Sequence, residues 1–165
     1  MIECLIIGDS IAKGMSLFQR ECVSHSIVGI NSFQWNKRFV KVDLEAATVI
    51  ISLGTNDKGI NTLDQLNQLR LRIKSNNVVW VLPPCNQTFC NSDANYSVAA
   101  IALINEDVII KTDKLSGDKI HPSGNGYKDL VEQARATMKP VVSVPMWPAE
   151  KFGQTNLGPP TDVRK

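Results

Sequence analysis

Residues 48–57 read Thr-Val-Ile-Ile-Ser-Leu-Gly-Thr-Asn-Asp, and this stretch decides the fold class. Its first six residues are almost wholly apolar and rich in β-branched side chains, which is typical of a strand buried on both faces. The four residues that follow include turn formers, and three of them carry polar side chains that can reach a ligand. A strand of this kind needs parallel neighbours on its edges and helices over both faces.

The remainder of the chain supplies those neighbours and helices, because short apolar runs alternate with segments of helical spacing. The pattern predicts an α/β fold, a three-layer α/β/α flavodoxin-like sandwich around a central, mostly parallel five-stranded sheet. The predicted strands are residues 2–7, 25–28, 48–53, 78–82 and 107–110, and the predicted helices are residues 12–21, 33–40, 62–74, 95–105 and 123–137.

Length and composition predict one ordinary domain followed by a tail. The chain has 165 residues, of which 43% are hydrophobic and 21% charged, with a net charge of +2. No basic run indicates a nucleic-acid partner, and no apolar run is long enough to indicate a membrane partner. We expect one folded domain over residues 1–139, which the motifs described below identify as catalytic. The Pro-rich residues 140–165 are expected to be partly packed and then extended, and to tether the domain to another protein or particle.

The N-terminal residues and the four cysteines give expectations about the cellular compartment of the protein and the redox state of its thiols. The first eight residues have neither a basic region nor a signal-peptide core, so synthesis in the cytoplasm is expected. Cys4 is predicted to be a buried thiol. Cys85 and Cys90 lie close enough in one loop to pair, although the missing leader favours free thiols. The cysteines and the two histidines show no metal-ligand spacing, so no metal site is predicted.

Polar residues follow the predicted strands, and in open parallel sheets ligands bind outside the carboxyl ends of the strands. Ser10 follows the first strand and is a candidate nucleophile, although a serine there also suits a helix cap. Asp118 and His121 are three residues apart, which allows the carboxylate to orient the imidazole as a general base. A plain surface turn is the alternative for that pair.

Two further strand ends offer hydrogen-bond donors. Gly29 ends the second strand, and its N–H can face a developing oxyanion. Asn56 follows the third strand, and its side-chain amide can do the same. Taken singly, both are ordinary turn residues. Their occurrence with a serine and an Asp/His pair at successive strand ends favours an acyl-transfer site over unrelated turns.

These blocks together resemble the SGNH hydrolases, a branch of the GDSL-like esterase/lipase superfamily. The matching segments are residues 7–10 (Ile-Gly-Asp-Ser), Gly29, residues 54–57 (Gly-Thr-Asn-Asp), Asp118 and His121. Gly14 and Tyr127 also fit the pattern. The second block lacks the further glycine often found after Gly29, and the chain is short for the family, which predicts an open cleft.

The resemblance implies a serine esterase with Ser10 as nucleophile, His121 as base and Asp118 as its orienting partner. It implies an oxyanion hole made by the Ser10 N–H, the Gly29 N–H and the Asn56 side chain. Such a reaction needs no metal and no organic cofactor. The implied substrate is a small acyl ester, foremost an O-acetyl group on a polysaccharide or peptidoglycan. Compact members of the family also occur in bacteriophage virions, so the resemblance implies association with a virion as one expected location of this protein.

A few other side chains receive predicted roles. Trp35 and Asn31 follow the Gly29 loop and are predicted to contact substrate. Asp57 is predicted to brace the loops under the nucleophile without being catalytic, and His25 to be structural. Trp80 is predicted to be part of the core.

Other readings of the same chain remain open. One is a non-catalytic glycan-binding module on the hydrolase scaffold, and another is a lipase or thioesterase that acts on a different small acyl ester. A nucleotide-binding domain is disfavoured, because residues 8–14 (Gly-Asp-Ser-Ile-Ala-Lys-Gly) match neither the dinucleotide-binding nor the P-loop pattern.

Overall fold

The structure, a computed structural model, describes residues 1–138. Five parallel strands form one sheet in the order β2-β1-β3-β4-β5, as the alternating pattern predicts. The strands are β1 (Ile2–Gly8), β2 (Val23–Ser26), β3 (Ala46–Ser52), β4 (Val78–Val81) and β5 (Val108–Ile110). The helices are α1 (Ser10–Phe18), α2 (Ser32–Arg38), α3 (Thr62–Arg72), α4 (Ser92–Asn105) and α5 (Gly124–Thr137).

Two apolar layers cover the sheet, because alternate side chains of each strand point to opposite faces. On one face, Ile7 and Ile51 pack with side chains of α2, α3 and α4. On the other face, Ile6 and Ile50 pack with side chains of α1 and α5. Both groups of strand residues are fully buried, which explains the unbroken apolar runs and confirms the three-layer α/β/α sandwich.

Caps account for most differences between predicted and observed helix bounds. The first helix was expected at residues 12–21 but begins at Ser10, because the Asp9 carboxylate accepts the N–H groups of the first turn. The fourth was expected from residue 95 but begins at Ser92, because the Asn91 side chain accepts the Ala94 N–H. Caps depend on side-chain geometry, which periodicity alone does not reveal.

Both cysteine pairs are disulfides, so the prediction of a free Cys4 thiol is wrong. Cys4 bonds to Cys22 because the parallel register pairs Leu5 with Val23, which places the two preceding residues side by side. Cys85 bonds to Cys90 and closes the loop between β4 and α4. The first pair is buried, whereas the second is exposed to solvent.

The predicted tail lies outside the described residues, so the predicted division of the chain at residue 139 stays a prediction. Within residues 1–138, no helix combines the length and the apolar character needed to cross a membrane.

A close approach fixes the start of α5 against the segment before it. A Cβ added to Gly126 would lie 2.1 Å from the Lys114 carbonyl oxygen, which also accepts the Ser123 N–H at 2.9 Å. A Cβ on Gly124, in the same helical turn, would meet nothing within 4 Å. The two glycines therefore form a matched pair for a substitution test.

We expect Gly126→Ala to lower the free energy of unfolding by about 2–3 kcal/mol, because the backbone oxygen it meets cannot move aside cheaply. Gly124→Ala should change it by no more than about 0.5 kcal/mol. Urea unfolding followed by circular dichroism measures both. Equal effects of the two substitutions would contradict the packing described for Gly126.

Candidate active site

The candidate nucleophile stands on a sharp turn between β1 and α1. Gly8 has a φ of +138°, and a Cβ there would lie 1.8 Å from the Ser52 carbonyl oxygen, so only glycine fits. The same oxygen accepts the Asp9 N–H at 2.9 Å. Ser10 is the first residue of α1, so its own N–H has no acceptor within the helix and lies at the positive end of the dipole.

His121 reaches the nucleophile from the loop between β5 and α5. Its Nε2 lies 2.9 Å from the Ser10 Oγ, and its Nδ1 lies 2.6 Å from an oxygen of Asp118. The three predicted residues therefore form a continuous hydrogen-bonded chain across segments that are 111 residues apart. The side chains of His121 and Asp118 are 41% and 46% exposed, so the site is open to solvent.

The hydrogen bonds of Asp118 determine which proton the histidine carries. The bond from His121 lowers the pKa of the Asp118 carboxyl far below its usual range, with help from the N–H groups of Ile120 and His121 and the hydroxyl of Ser116. An ionised Asp118 can only accept, so His121 donates from Nδ1. Nε2 is then the free acceptor that faces the Ser10 hydroxyl.

The predicted oxyanion donors follow three neighbouring strands, since Gly29, Ser10 and Asn56 come after β2, β1 and β3. Gly29 is exposed, with a φ of +80°. One N–H of the Asn56 amide donates to the Ile30 carbonyl at 3.1 Å, which ties the two outer loops together. The second N–H of the same amide group remains available for an oxyanion.

Asp57 braces these loops from below, as the sequence predicts. Its buried carboxylate accepts the N–H of Ser32 at 2.9 Å and the hydroxyl of Thr62 at 2.8 Å. Asn91 donates to the Asp57 carbonyl at 2.8 Å. The residue thus joins the starts of α2, α3 and α4, and no bond leads from its carboxylate to the Ser10 or His121 side chain.

One predicted substrate contact is wrong. The Trp35 side chain is 0% exposed and lies in the core, where its indole N–H donates to the His25 carbonyl at 3.0 Å. Its ring packs on Phe39, because α2 turns this residue toward the sheet. Asn31 is half-buried, and its side chain caps α2 by accepting the Gln34 N–H at 2.8 Å. Its contact with substrate stays a prediction.

Other side chains also fit the predicted pattern. Trp80 is buried, and its indole N–H donates to Asp107 at 2.9 Å, which confirms its core position. His25 packs on Phe39 in a structural role. Gly14 allows α1 to approach α5, since a Cβ there would lie 2.3 Å from the Tyr127 ring.

Asp9 has an importance that the sequence did not reveal. It is fully buried beside the nucleophile, where one carboxylate oxygen accepts the Ile11 N–H at 3.0 Å and the Ser52 hydroxyl at 3.0 Å. Its other oxygen has no hydrogen-bond partner among residues 1–138. Burial raises the pKa of the Asp9 carboxyl to about 6, against the lowering effect of its hydrogen bonds. The sequence shows Asp9 only as part of the Gly-Asp-Ser turn, because a local motif does not reveal how deeply a side chain is buried.

Comparison with known proteins places the fold. The sequence matches no protein-family model and no curated protein. A Bacteroides fragilis protein assigned as an acylhydrolase is 21% identical with a TM-score of 0.60, over 84% of this chain and 88% of that chain. A variant of an acetyl-xylooligosaccharide esterase from Geobacillus stearothermophilus is 14% identical with a TM-score of 0.57, over 82% and 93%. The catalytic domain of Streptococcus pneumoniae peptidoglycan O-acetyltransferase A is 14% identical with a TM-score of 0.58, over 90% and 94%.

At these identities the likeness establishes a common fold. In the Geobacillus esterase, the variants described as catalytic mutants replace a serine and a histidine by alanine.

The buried carboxyl of Asp9 generates a prediction about stability and pH. Between its ordinary pKa of 3.8 and its raised pKa of about 6, the folded protein binds more protons than the unfolded chain. The contribution of Asp9 to the free energy of unfolding therefore falls as pH rises through this window, by about 3 kcal/mol in total. Asp118 has a lowered pKa, so its contribution to the free energy of unfolding rises with pH. That rise is complete near the ordinary pKa of 3.8 and therefore lies below the window of Asp9.

We expect Asp9→Asn to remove the fall in unfolding free energy with rising pH. The unfolding free energy of the variant should therefore increase relative to that of the wild type from pH 4 to pH 7. Urea unfolding at several pH values in this range provides the measurement. Asp43→Asn, at an exposed position, is the matched control and should keep the wild-type pH dependence. A difference between Asp9→Asn and wild type that is constant with pH would show that Asp9 does not titrate in this window.

Proposed function

We propose that this chain, which has the fold of the SGNH hydrolases, is a serine esterase that works through an acyl-Ser10 intermediate. One observation carries the proposal. The Ser10 Oγ, the two ring nitrogens of His121 and the Asp118 carboxylate form an unbroken chain with distances of 2.9 and 2.6 Å. This arrangement lets an imidazole remove the proton of a serine hydroxyl as the hydroxyl attacks.

The first half of the reaction forms the acyl-enzyme. The Ser10 Oγ bonds to the ester carbonyl carbon while its proton passes to the Nε2 of His121. The carbonyl oxygen becomes an oxyanion that accepts the N–H groups of Ser10 and Gly29 and the Asn56 amide, each worth about 3 kcal/mol. His121 then gives its proton to the leaving alkoxide as the ester C–O bond breaks, which releases the alcohol.

The second half regenerates the enzyme with water. His121 takes a proton from a water molecule as the water oxygen attacks the acyl carbon. His121 returns that proton to the Ser10 Oγ as the acyl–Ser10 bond breaks, and the carboxylic acid leaves. Asp118 stays ionised throughout and stabilises the imidazolium that forms in both halves.

The proposed substrate is a small acyl group, foremost acetyl, on a carbohydrate carrier. The leaving alcohol must lie on the His121 side, because His121 protonates it. A cavity of about 590 Å³ meets the Asp118–His121 turn at Lys119, while Ser10, Asp118 and His121 themselves do not line it. Asn86 and Thr112 also contribute polar groups to its lining, which suit a hydroxylated carrier. Two structural neighbours named for acetylated carbohydrate polymers or oligomers support this choice. The two disulfides fit a protein that acts in an oxidising environment.

A second candidate is an esterase for longer acyl chains. An open groove of about 690 Å³ lies beside Gly29. Val28 and Phe33 line it and are 67% and 45% exposed, so the oxyanion side offers an apolar surface. Such an open surface buries little of a flexible chain, which favours the acetyl ester as the first candidate.

The nucleophile assignment is tested by covalent labelling with a fluorophosphonate and by hydrolysis of p-nitrophenyl acetate. We expect the wild type to be labelled at Ser10 and to turn over the ester, and Ser10→Ala to lose the labelling and at least about 10³-fold in kcat. Ser16→Ala is the matched control, since Ser16 lies in the same helix and its hydroxyl donates only to the Lys13 carbonyl.

Labelling or turnover that survives Ser10→Ala would contradict the assignment. A wild-type protein that is neither labelled nor active, but that binds acetylated glycans, would instead favour the non-catalytic glycan-binding module.

Acyl selectivity distinguishes the two candidate substrates. We expect kcat/KM for p-nitrophenyl acetate to exceed that for p-nitrophenyl octanoate by at least about tenfold, because the open groove gains little from the longer chain. Acetate release from acetylated xylan and from O-acetylated peptidoglycan then identifies the carrier. A higher kcat/KM for the octanoate would overturn the acetyl assignment and favour the second candidate.

A further inference from the structure

The turn that carries Asp118 and His121 contains a residue with an uncommon backbone conformation. Lys119 has a φ of +61°, in the left-handed region that residues other than glycine, asparagine and aspartate rarely adopt. Among the described residues, Glu106 is the only other non-glycine residue with a positive φ. Its conformation is explained by its position as the C-cap of α4, where left-handed residues are common. The conformation of Lys119 therefore needs a partner that holds it.

The internal bonds of the turn orient Asp118 but do not fix the turn to the sheet. One Asp118 oxygen accepts the Ser116 hydroxyl and the N–H groups of Ile120 and His121, each at 2.9 Å. All of these partners belong to the turn itself, so they would move with it.

Only two hydrogen bonds join residues 116–121 to parts of the described chain beyond the adjoining loop. One is the bond between His121 and Ser10, which the reaction breaks and reforms. The other runs from the Asn86 side-chain amide to the Lys119 carbonyl, at 2.9 Å. Asn86 is therefore the one polar anchor of the turn that is independent of the nucleophile.

Asn86 is itself held in one orientation. Its side-chain oxygen accepts the N–H groups of Thr88 at 2.9 Å and Phe89 at 3.0 Å, which directs the NH₂ group toward Lys119. The Asn86 N–H donates to the Phe89 carbonyl at 2.8 Å. The disulfide between Cys85 and Cys90 closes this small loop, and both cysteines are exposed to solvent.

From these contacts we infer that Asn86 is a positioning residue for the Asp118–His121 turn, and that the Cys85–Cys90 disulfide controls it by keeping the Asn86 loop closed. The inference rests on the proposed function. Asn86 holds the carbonyl of Lys119 in its left-handed conformation, and this keeps the His121 Nε2 at the Ser10 Oγ. Two molecules of a thiol reduce this disulfide by exchange: the Cys85–Cys90 S–S bond breaks, both cysteines become thiols, and the reductant is oxidised to its own disulfide. The loop then opens, the Asn86 side chain is freed, and the reaction slows although the catalytic residues are unchanged.

The first arm of the experiment measures kcat and KM for p-nitrophenyl acetate and the rate of fluorophosphonate labelling. Asn86→Ala should lower kcat and the labelling rate by about fivefold, the effect of one hydrogen bond. KM should be nearly unchanged, because p-nitrophenyl acetate has no carbohydrate carrier to contact the cavity that Asn86 lines. Asn86→Asp should lower kcat and the labelling rate at least as much, because it keeps the acceptor for Thr88 and Phe89 but loses the donor.

The matched control for this arm is Asn105→Ala. The Asn105 amide also donates to a backbone carbonyl, that of Ile101 at 2.9 Å, but it lies at the C-terminal end of α4 and does not reach the turn. Its removal should leave kcat within about twofold of wild type, since the catalytic turn keeps all its contacts.

A second arm tests whether Asn86 acts through the backbone of Lys119. Glycine adopts a positive φ without steric cost, so the turn no longer needs to be held. Adding Lys119→Gly to Asn86→Ala should therefore recover at least half of the lost kcat. No recovery would overturn the proposed route from Asn86 to His121.

A third arm tests the disulfide. The double substitution Cys85→Ser and Cys90→Ser should lower kcat by the same factor as Asn86→Ala, and Asn86→Ala on that background should cause no further loss. Incubation of the wild type with a mild phosphine reductant should reproduce the loss, with the buried Cys4–Cys22 pair reacting later. If the losses in kcat from Asn86→Ala and from the two cysteine substitutions add, the disulfide and Asn86 act separately, and the inferred control of Asn86 by the disulfide is wrong.

Amide hydrogen exchange supplies a readout that does not depend on activity. Asn86→Ala should speed exchange at the N–H groups of Ile120 and His121. Both donate to the Asp118 carboxylate, and the turn that carries it should open more often without the bond from Asn86. Unchanged exchange together with unchanged kcat in Asn86→Ala would overturn this inference and leave the esterase proposal intact. A wild type without labelling or turnover would overturn the esterase proposal, and the exchange rates would still decide whether Asn86 holds the turn.

Discussion

The parallel pairing of β1 between β2 and β3 is the constraint on which the site depends. Parallel strands bring their carboxyl ends to one edge of the sheet, so the residues that follow them meet there. This edge gathers Ser10, Gly29 and Asn56, which are otherwise far apart in the chain. Gly8 is the point where the constraint is tightest, because its backbone packs directly on the Ser52 carbonyl. A side chain at that position would move the nucleophile and the start of α1 together.

Two aspartates near the nucleophile have opposite electrostatic environments, and the difference follows from burial. Desolvation raises the pKa of Asp9, and one of its oxygens lacks a hydrogen-bond partner within the described part of the chain. Asp118 is exposed, and the hydrogen bond from His121 and several N–H and O–H donors lower its pKa. The exposed carboxylate is thus the one suited to stay charged beside an imidazolium, as the proposed mechanism requires. The buried one caps α1 by accepting the N–H groups of Ile11 and Ala12, and it lowers the stability of the fold when it ionises.

Amide and carboxylate side chains, rather than apolar packing, connect the loops at this edge. Asp57 joins the starts of α2 and α3, Asn56 joins its own loop to Ile30, and Asn86 reaches the Lys119 carbonyl. Loops at the surface cannot bury enough apolar area to be rigid, so directional hydrogen bonds must position them. An open site with a half-exposed histidine is consistent with this construction, since it leaves room for a bulky carrier.

The α/β class and the alternation of elements follow from the sequence alone, because apolar periodicity is a local feature. The sequence also predicts the set Ser10, Gly29, Asn56, Asp118 and His121, because strand-end turns are local too. The tertiary structure alone decided the strand order and which way the side chains at these ends point. It buried Trp35, which the sequence placed at the substrate, and it paired Cys4 with Cys22 across 18 residues. It also brought Asn86 to Lys119 across 33 residues. Contacts of this kind depend on how distant segments pack, and no local pattern of residues encodes that packing.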